Sequence, residues 1–169
     1  MFYWLAKWQI QITKNKQNAY SFYVILIIGD TMKEKILVSA CLLGINCKYS
    51  GGNNYSEEVM EFLKDYEIIP VCPEQLGGLP TPRPASEIIG NKIITNINTD
   101  VTEAYNKGAE ETLKLAKLLG VKKALLKAKS PSCGNGKIYD GTFSGALVDG
   151  DGITTKLLKE NDIEVITIK

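Results

Sequence analysis

The chain has 169 residues, 44% hydrophobic and 23% charged, values that suit one soluble globular domain with a real core. Twenty basic residues against nineteen acidic ones leave a net charge of +1, so no whole-chain field draws it to nucleic acid or an anionic membrane. There is no histidine, which removes the commonest general acid–base group and the commonest metal ligand, and leaves proton transfer to carboxylates, lysine, tyrosine, cysteine or hydroxyls.

Residues 1–31 do not share the pattern of the rest. Phe2, Tyr3, Trp4 and Trp8 precede a polar, lysine-containing stretch, and Tyr20 to Gly29 is apolar but too short to span a bilayer. No small-residue cleavage site follows it. The expectation is an N-terminal extension over 1–31, upstream of a start at Met32, and one self-sufficient domain over 32–169.

From Lys35 onward, strands and helices alternate. Ile36–Ala40 is a short apolar run that leads straight into Cys41, followed by a loop with Gly44, Cys47, Gly51 and Gly52. Ser56 is placed to cap a helix whose first turn holds Glu57 and Glu58, with Val59, Phe62, Leu63 and Tyr66 on one face. Glu67–Val71 reads as the second strand and ends at Cys72. Pro73 to Pro84 is so rich in Pro and Gly that it predicts a long rigid loop, carrying Glu74 and the only arginine, Arg83. Glu87 to Ile94, broken at Gly90-Asn91, predicts a hairpin.

Asp100 to Glu103 resembles a capping box with the aspartate as cap. Val101, Ala104, Tyr105, Ala109, Thr112, Ala116 and Leu119 trace the buried stripe of a helix that Gly120 ends. Ala124–Lys127 is the third strand, and Ser130-Pro131-Ser132-Cys133-Gly134 is a tight turn. A glycine-spaced loop spans Tyr139 to Gly145, a short helix carries Ile153, Leu157 and Leu158, and Glu164–Ile168 is the last strand. The alternation predicts an α/β fold: a three-layer α/β/α sandwich with a mostly parallel sheet and the cysteines at the C-terminal strand ends, where open α/β sheets bind ligands.

Cys41, Cys72 and Cys133 end equivalent strands, and this convergence is the main clue to function. One such cysteine would read as a small buried hydrophobe. Two disulfides are a poor fit to so large a core, and a reduced, cytoplasmic setting follows. Structural zinc usually draws on closely spaced cysteine pairs, which these three do not form. Scattered thiolates can hold an iron–sulfur cluster, and three would leave one iron open to substrate. Cys47 is either a fourth ligand or a nearby free thiol; it does not sit at a strand end.

Glu74, two residues beyond Cys72, is a solvated loop carboxylate or the general acid–base of a histidine-free site. Ser130 and Ser132 are turn residues, or one of them bonds a substrate. Arg83 between two prolines has the makings of a bidentate anion clamp. Lysines 122, 123, 127, 129 and 137 form a modest basic cluster that suits a solvated face or a nucleotide phosphate.

Taken together, Ser39-Ala40-Cys41-Leu42-Leu43-Gly44, Pro70-Val71-Cys72-Pro73-Glu74, Pro82-Arg83-Pro84, Ser130-Pro131-Ser132-Cys133-Gly134 and Tyr139-Asp140-Gly141 resemble the thiouracil desulfidase family, from about Lys35 to the C-terminus. The resemblance implies a [4Fe-4S] cluster held by Cys41, Cys72 and Cys133, its fourth iron taking the thiocarbonyl sulfur of a thiolated uracil. It implies catalytic assistance from Glu74 and from a serine of the turn, Ser130; Ser132 and Arg83 stand beside them as substrate-binding candidates read from the residues themselves. Lys48 and Ser50 stand where relatives often carry arginine and aspartate. The implied substrate is a small thiolated pyrimidine base or nucleotide. A tRNA, which two-domain relatives use, is the less expected partner, and no membrane is expected. The implied reaction is non-redox hydrolysis that releases hydrosulfide. A rival from another class is an iron–sulfur or metal-binding redox or interaction module, with all four cysteines as ligands and no hydrolase activity.

Overall fold

In a computed structural model, residues 33–168 are described. The expected extension over 1–31 lies outside the described residues. Strand β1 (Glu34–Ser39) leads through a 3-10 turn (Ala40–Leu43) and a loop to helix α1 (Glu57–Phe62), and then to β2 (Tyr66–Val71). A one-turn helix, α2 (Pro73–Leu76), a hairpin of β3 (Ser86–Ile89) and β4 (Lys92–Thr95), and the long helix α3 (Thr102–Leu119) follow. The chain closes with β5 (Lys123–Leu125), a hairpin of β6 (Lys137–Tyr139) and β7 (Leu147–Asp149), α4 (Ile153–Lys159) and β8 (Glu164–Ile166).

Four strands form a sheet in the order β2-β1-β5-β8, and every pairing in it is parallel. The central strand β1 is apolar on both sides because both faces are covered. Ile36, Leu37 and Val38 are all 0% exposed. Successive side chains point to opposite faces, so Ile36 and Val38 meet Val59 and Leu63 on the α1 side. Leu37 packs with Ala124 and Leu126 against Ala116 and Leu158 of α3 and α4. Burying each such aliphatic side chain stabilises the fold by roughly 1.5–3 kcal/mol. The result is the three-layer α/β/α sandwich that the alternation of elements predicts.

The order also creates a switch point. From β1 the chain winds through α1 to β2 on one side, then crosses back through α3 to β5 on the other. The carboxyl ends of β1 and β5 flank the crevice where such folds bind ligands. A bond from the Lys127 backbone N–H to Ser39 Oγ (3.0 Å) ties these two ends together.

Local expectations needed correction at several points. Pro73–Leu76 is helical rather than loop, since proline at the first helical position loses no helix hydrogen bond. The glycine-spaced loop over 139–145 joins two short strands, β6 and β7, too brief to leave a period-2 signature. Tyr66 opens β2 rather than lying on the helix, because α1 ends at Phe62 and a 3-10 turn follows. Ser56 holds the cap position of α1 without a side-chain cap bond. Asp100 sits one residue outside the cap of α3; its carboxylate accepts the N–H of Thr102 at 3.0 Å, an Asx turn.

Candidate functional site

At the carboxyl edge of the sheet lies a cavity of about 520 Å³, within the usual range for small-molecule sites. Cys41, Cys72 and Cys133 all line it, each brought there by a different element. Cys41 rides the 3-10 turn after β1, which ends because Gly44 takes a left-handed φ of 90°. Cys72 stands between β2 and α2. The placement of α2 depends on backbone meeting backbone: a Cβ on Gly77 would lie 2.0 Å from the Ala104 carbonyl oxygen, and one on Gly108 2.0 Å from that of Pro73. Only glycine at both positions lets α2 sit on α3 this closely.

Cys133 is held by the Ser130 turn. Ser130 Oγ accepts the backbone N–H groups of Ser132 and Cys133, each at 3.1 Å, and the Gly134 N–H returns to the Ser130 carbonyl at 2.8 Å. The Cys133 carbonyl in turn accepts the hydroxyl of Thr155 at 2.9 Å. With both lone pairs of its oxygen occupied, Ser130 directs its own proton toward Glu74 Oε1, 3.5 Å away.

Glu74 is the acid that faces Ser130 in this cavity. Its Oε2 accepts Arg83 Nε at 2.7 Å, and its charge bears on the Tyr105 hydroxyl. Burial first, then that carboxylate, push Tyr105 well above the usual phenol range, so it stays protonated as a donor.

The expected bidentate anion clamp is not what Arg83 makes. Besides Glu74, it donates to the Pro80 carbonyl (3.0 Å), Thr81 Oγ1 (3.0 Å) and the Cys47 carbonyl (3.1 Å). Its fork is spent on holding the 80–83 loop, the Cys47 loop and the Glu74 carboxylate together. Ser132 also departs from its expected role. It is 1% exposed, bonds Thr154 Oγ1 at 2.9 Å, and takes no part in the cavity wall. Two serines one residue apart in a tight turn point opposite ways, and the sequence carries no signal of which faces the cavity.

Cys47 is nearer than its place in a loop suggests. It is buried and lines the same wall, and its backbone carbonyl accepts the Cys72 thiol at 3.9 Å. Burial pushes its thiol up to about 12, and does the same to Cys133; Cys41 is raised for the same reason. Such thiols hold their protons until a bound cation displaces them. Among the described residues, no three cysteine or acidic side chains come close enough together to hold one metal ion. All four cysteines line the one cavity.

Three further lining residues carry no sequence signal of their own. Tyr105 looked like helix core. Tyr49 and Phe143 are exposed aromatics at the mouth, 52% and 38% exposed. Phe143 is kept there by buried Glu87, whose Oε2 accepts the N–H groups of Gly141 (2.9 Å) and Phe143 (3.0 Å). That carboxylate ties the β6–β7 loop onto β3, a pairing of residues distant in sequence.

A family model described as 2-thiouracil desulfurase matches residues 36–169. The protein YbbK of Bacillus subtilis (strain 168) is 44% identical over 142 residues, covering 78% of this chain and 94% of its own. A solved structure of TudS, a [4Fe-4S]-dependent thiouracil desulfidase, is 42% identical with a TM-score of 0.73, covering 80% of this chain and 91% of that one.

Proposed function

The chain belongs to the 2-thiouracil desulfurase family, and on that premise we propose that it is a [4Fe-4S]-dependent desulfidase that replaces the thiocarbonyl sulfur of thiouracil, or of a related thionucleobase, by oxygen. The observation that carries the reading is the meeting of Cys41, Cys72 and Cys133 with the Glu74–Ser130 pair in one cavity. The donor set suits the cofactor: thiolates are the usual ligands of iron–sulfur clusters. Cys41, Cys72 and Cys133 all line the one cavity that would receive it.

Cys41, Cys72 and Cys133 would hold the cluster, and Cys47 would stay a free thiol beside Cys72. When bound, the cluster supplies a thiophilic iron for the departing sulfur. The remaining work falls to this chain's own side chains. Tyr49 and Phe143 give a planar heterocycle apolar faces to lie against at the mouth. Glu74 takes a proton from water and passes one toward the leaving sulfur. Ser130 steadies Glu74 Oε1, and Arg83 fixes Oε2, so the carboxylate is held in one orientation. Replacing C=S by C=O with water releases hydrosulfide and leaves the oxidation level of the base unchanged.

The test is anaerobic reconstitution followed by assay of hydrosulfide release from 2-thiouracil. Roughly four irons and four sulfides per chain are expected, with turnover. Stoichiometric zinc without labile sulfide, or a loaded cluster that leaves thiouracil intact, would overturn the reading. Cys47→Ala separates three-cysteine from four-cysteine ligation: the cluster survives the substitution in the first case and is lost or weakened in the second.

A further inference from the structure

Lys127 is a half-buried cation of the cavity that the desulfidase reading leaves without a task. It follows β5 by two residues, and its backbone N–H is fixed on Ser39 Oγ. Among the described residues, its ammonium makes one hydrogen bond, to the Ala128 carbonyl at 3.0 Å, and no ion pair with a carboxylate. The acids nearest the cavity are committed elsewhere: Glu74 to Arg83, and Glu87 to two backbone N–H groups.

An ammonium withdrawn from water without a counter-charge is costly. Burial accordingly pushes Lys127 down, while charge on Cys41 and on Cys133 pulls it up; Lys129 and Lys48 add positive charge nearby. Lys127 in turn lowers the Cys41 thiol. Lys127 lines the same cavity as Cys41 and Cys133, two of the three cysteines given to the cluster, with no carboxylate paired to its ammonium among the described residues.

We propose that Lys127 is a positioning residue for the cluster, its ammonium offsetting the negative charge of a cubane bound by three thiolates and holding the reduction potential up. The inference rests on the [4Fe-4S] reading above. Net charge around a cluster is one of the main determinants of its potential, and one-electron reduction adds a further negative charge that a nearby cation stabilises.

The experiment uses the full chain, reconstituted anaerobically as wild type, Lys127→Met and Lys127→Arg. Iron and sulfide are counted, and the cluster's midpoint potential is followed by EPR-monitored titration. Lys127→Met should titrate at a more negative potential than wild type at equal iron content, with Lys127→Arg close to wild type. If Lys127→Met cannot hold the cluster while Lys127→Arg can, the charge is again what matters. A Lys127→Met cluster at the wild-type potential, or Met and Arg variants that shift or fail alike, overturns the inference. Wild-type protein that takes up no iron and sulfide would instead bring down the desulfidase reading, and the inference with it.

Discussion

Glu74 and Ser130 face one another at 3.5 Å, with Arg83 behind the acid, and each contact makes a distinct demand on mutants. Glu74→Gln keeps the shape and accepts most of the same bonds but cannot move a proton. It should load the cluster normally and lose turnover by about a hundredfold or more, the usual size of an acid–base contribution. Visible absorption and single-turnover hydrosulfide release check the two halves of that statement, and near-normal release would move the base elsewhere. Ser130 and Ser132 should behave oppositely. Ser130→Ala strips two backbone N–H groups of their acceptor and Glu74 of its neighbour, so kcat falls. Ser132→Ala leaves the buried Thr154 hydroxyl without its partner, at a cost of about 1–3 kcal/mol in stability, with kcat little changed. A denaturant melt beside a rate measurement distinguishes them.

At the scale of elements, the site depends on a helix of one turn. α2 carries Glu74 and follows Cys72, and it is too short to be stable by itself. Its position is imposed by α3 through the contact between Gly77 and Gly108. Gly108→Ala sets two effects against each other. Inside an exposed helix, alanine would be favoured by about 1 kcal/mol. Here the new Cβ would lie 2.0 Å from the Pro73 carbonyl oxygen, and relieving such overlap costs about 1–3 kcal/mol. The clash wins. Gly108→Ala should lower the melting temperature, and because α2 must shift, it should also depress turnover and cluster retention together. A variant as stable and active as wild type would show that the helices have room to separate. The same scale explains the loop of the β6–β7 hairpin, where Glu87 supplies from β3 the bonds that the loop cannot make internally.

For the whole molecule, the decisive feature is that Cys41, Cys72 and Cys133, from distant parts of the chain, line one cavity. Among the described residues, both core clusters and the cavity lining lie after Lys33. The α/β pattern is complete from Lys33 onward, so a chain beginning at Met32 should fold and take up the cluster with the same iron content as the full chain. Insolubility of the shortened protein, or failure to bind iron, would make the first 31 residues part of the working domain. Circular dichroism and iron analysis of the two forms decide between these outcomes.

Much of this was legible in the residues themselves. Apolar runs that stop at Cys41, Cys72 and the Ser130 turn announce buried parallel strands, because a strand covered on both faces has no polar side to show. The absence of histidine left Glu74 as the natural proton carrier. Side-chain direction and distant partners were not legible. Ser130 and Ser132 have the same chemistry and stand either side of Pro131, and only the fold of the turn sends one to Glu74 and the other to Thr154. Arg83 looked like a free anion clamp until the Cys47 and Pro80 carbonyls and Glu74 were brought around it. Tyr105 is indistinguishable from helix core until α2 sets Glu74 against it. Local pattern determined which elements form, because periodicity and breakers act over a few residues. The order of strands and the close approach of glycine to glycine decided which groups meet, because those contacts join positions that no local pattern relates.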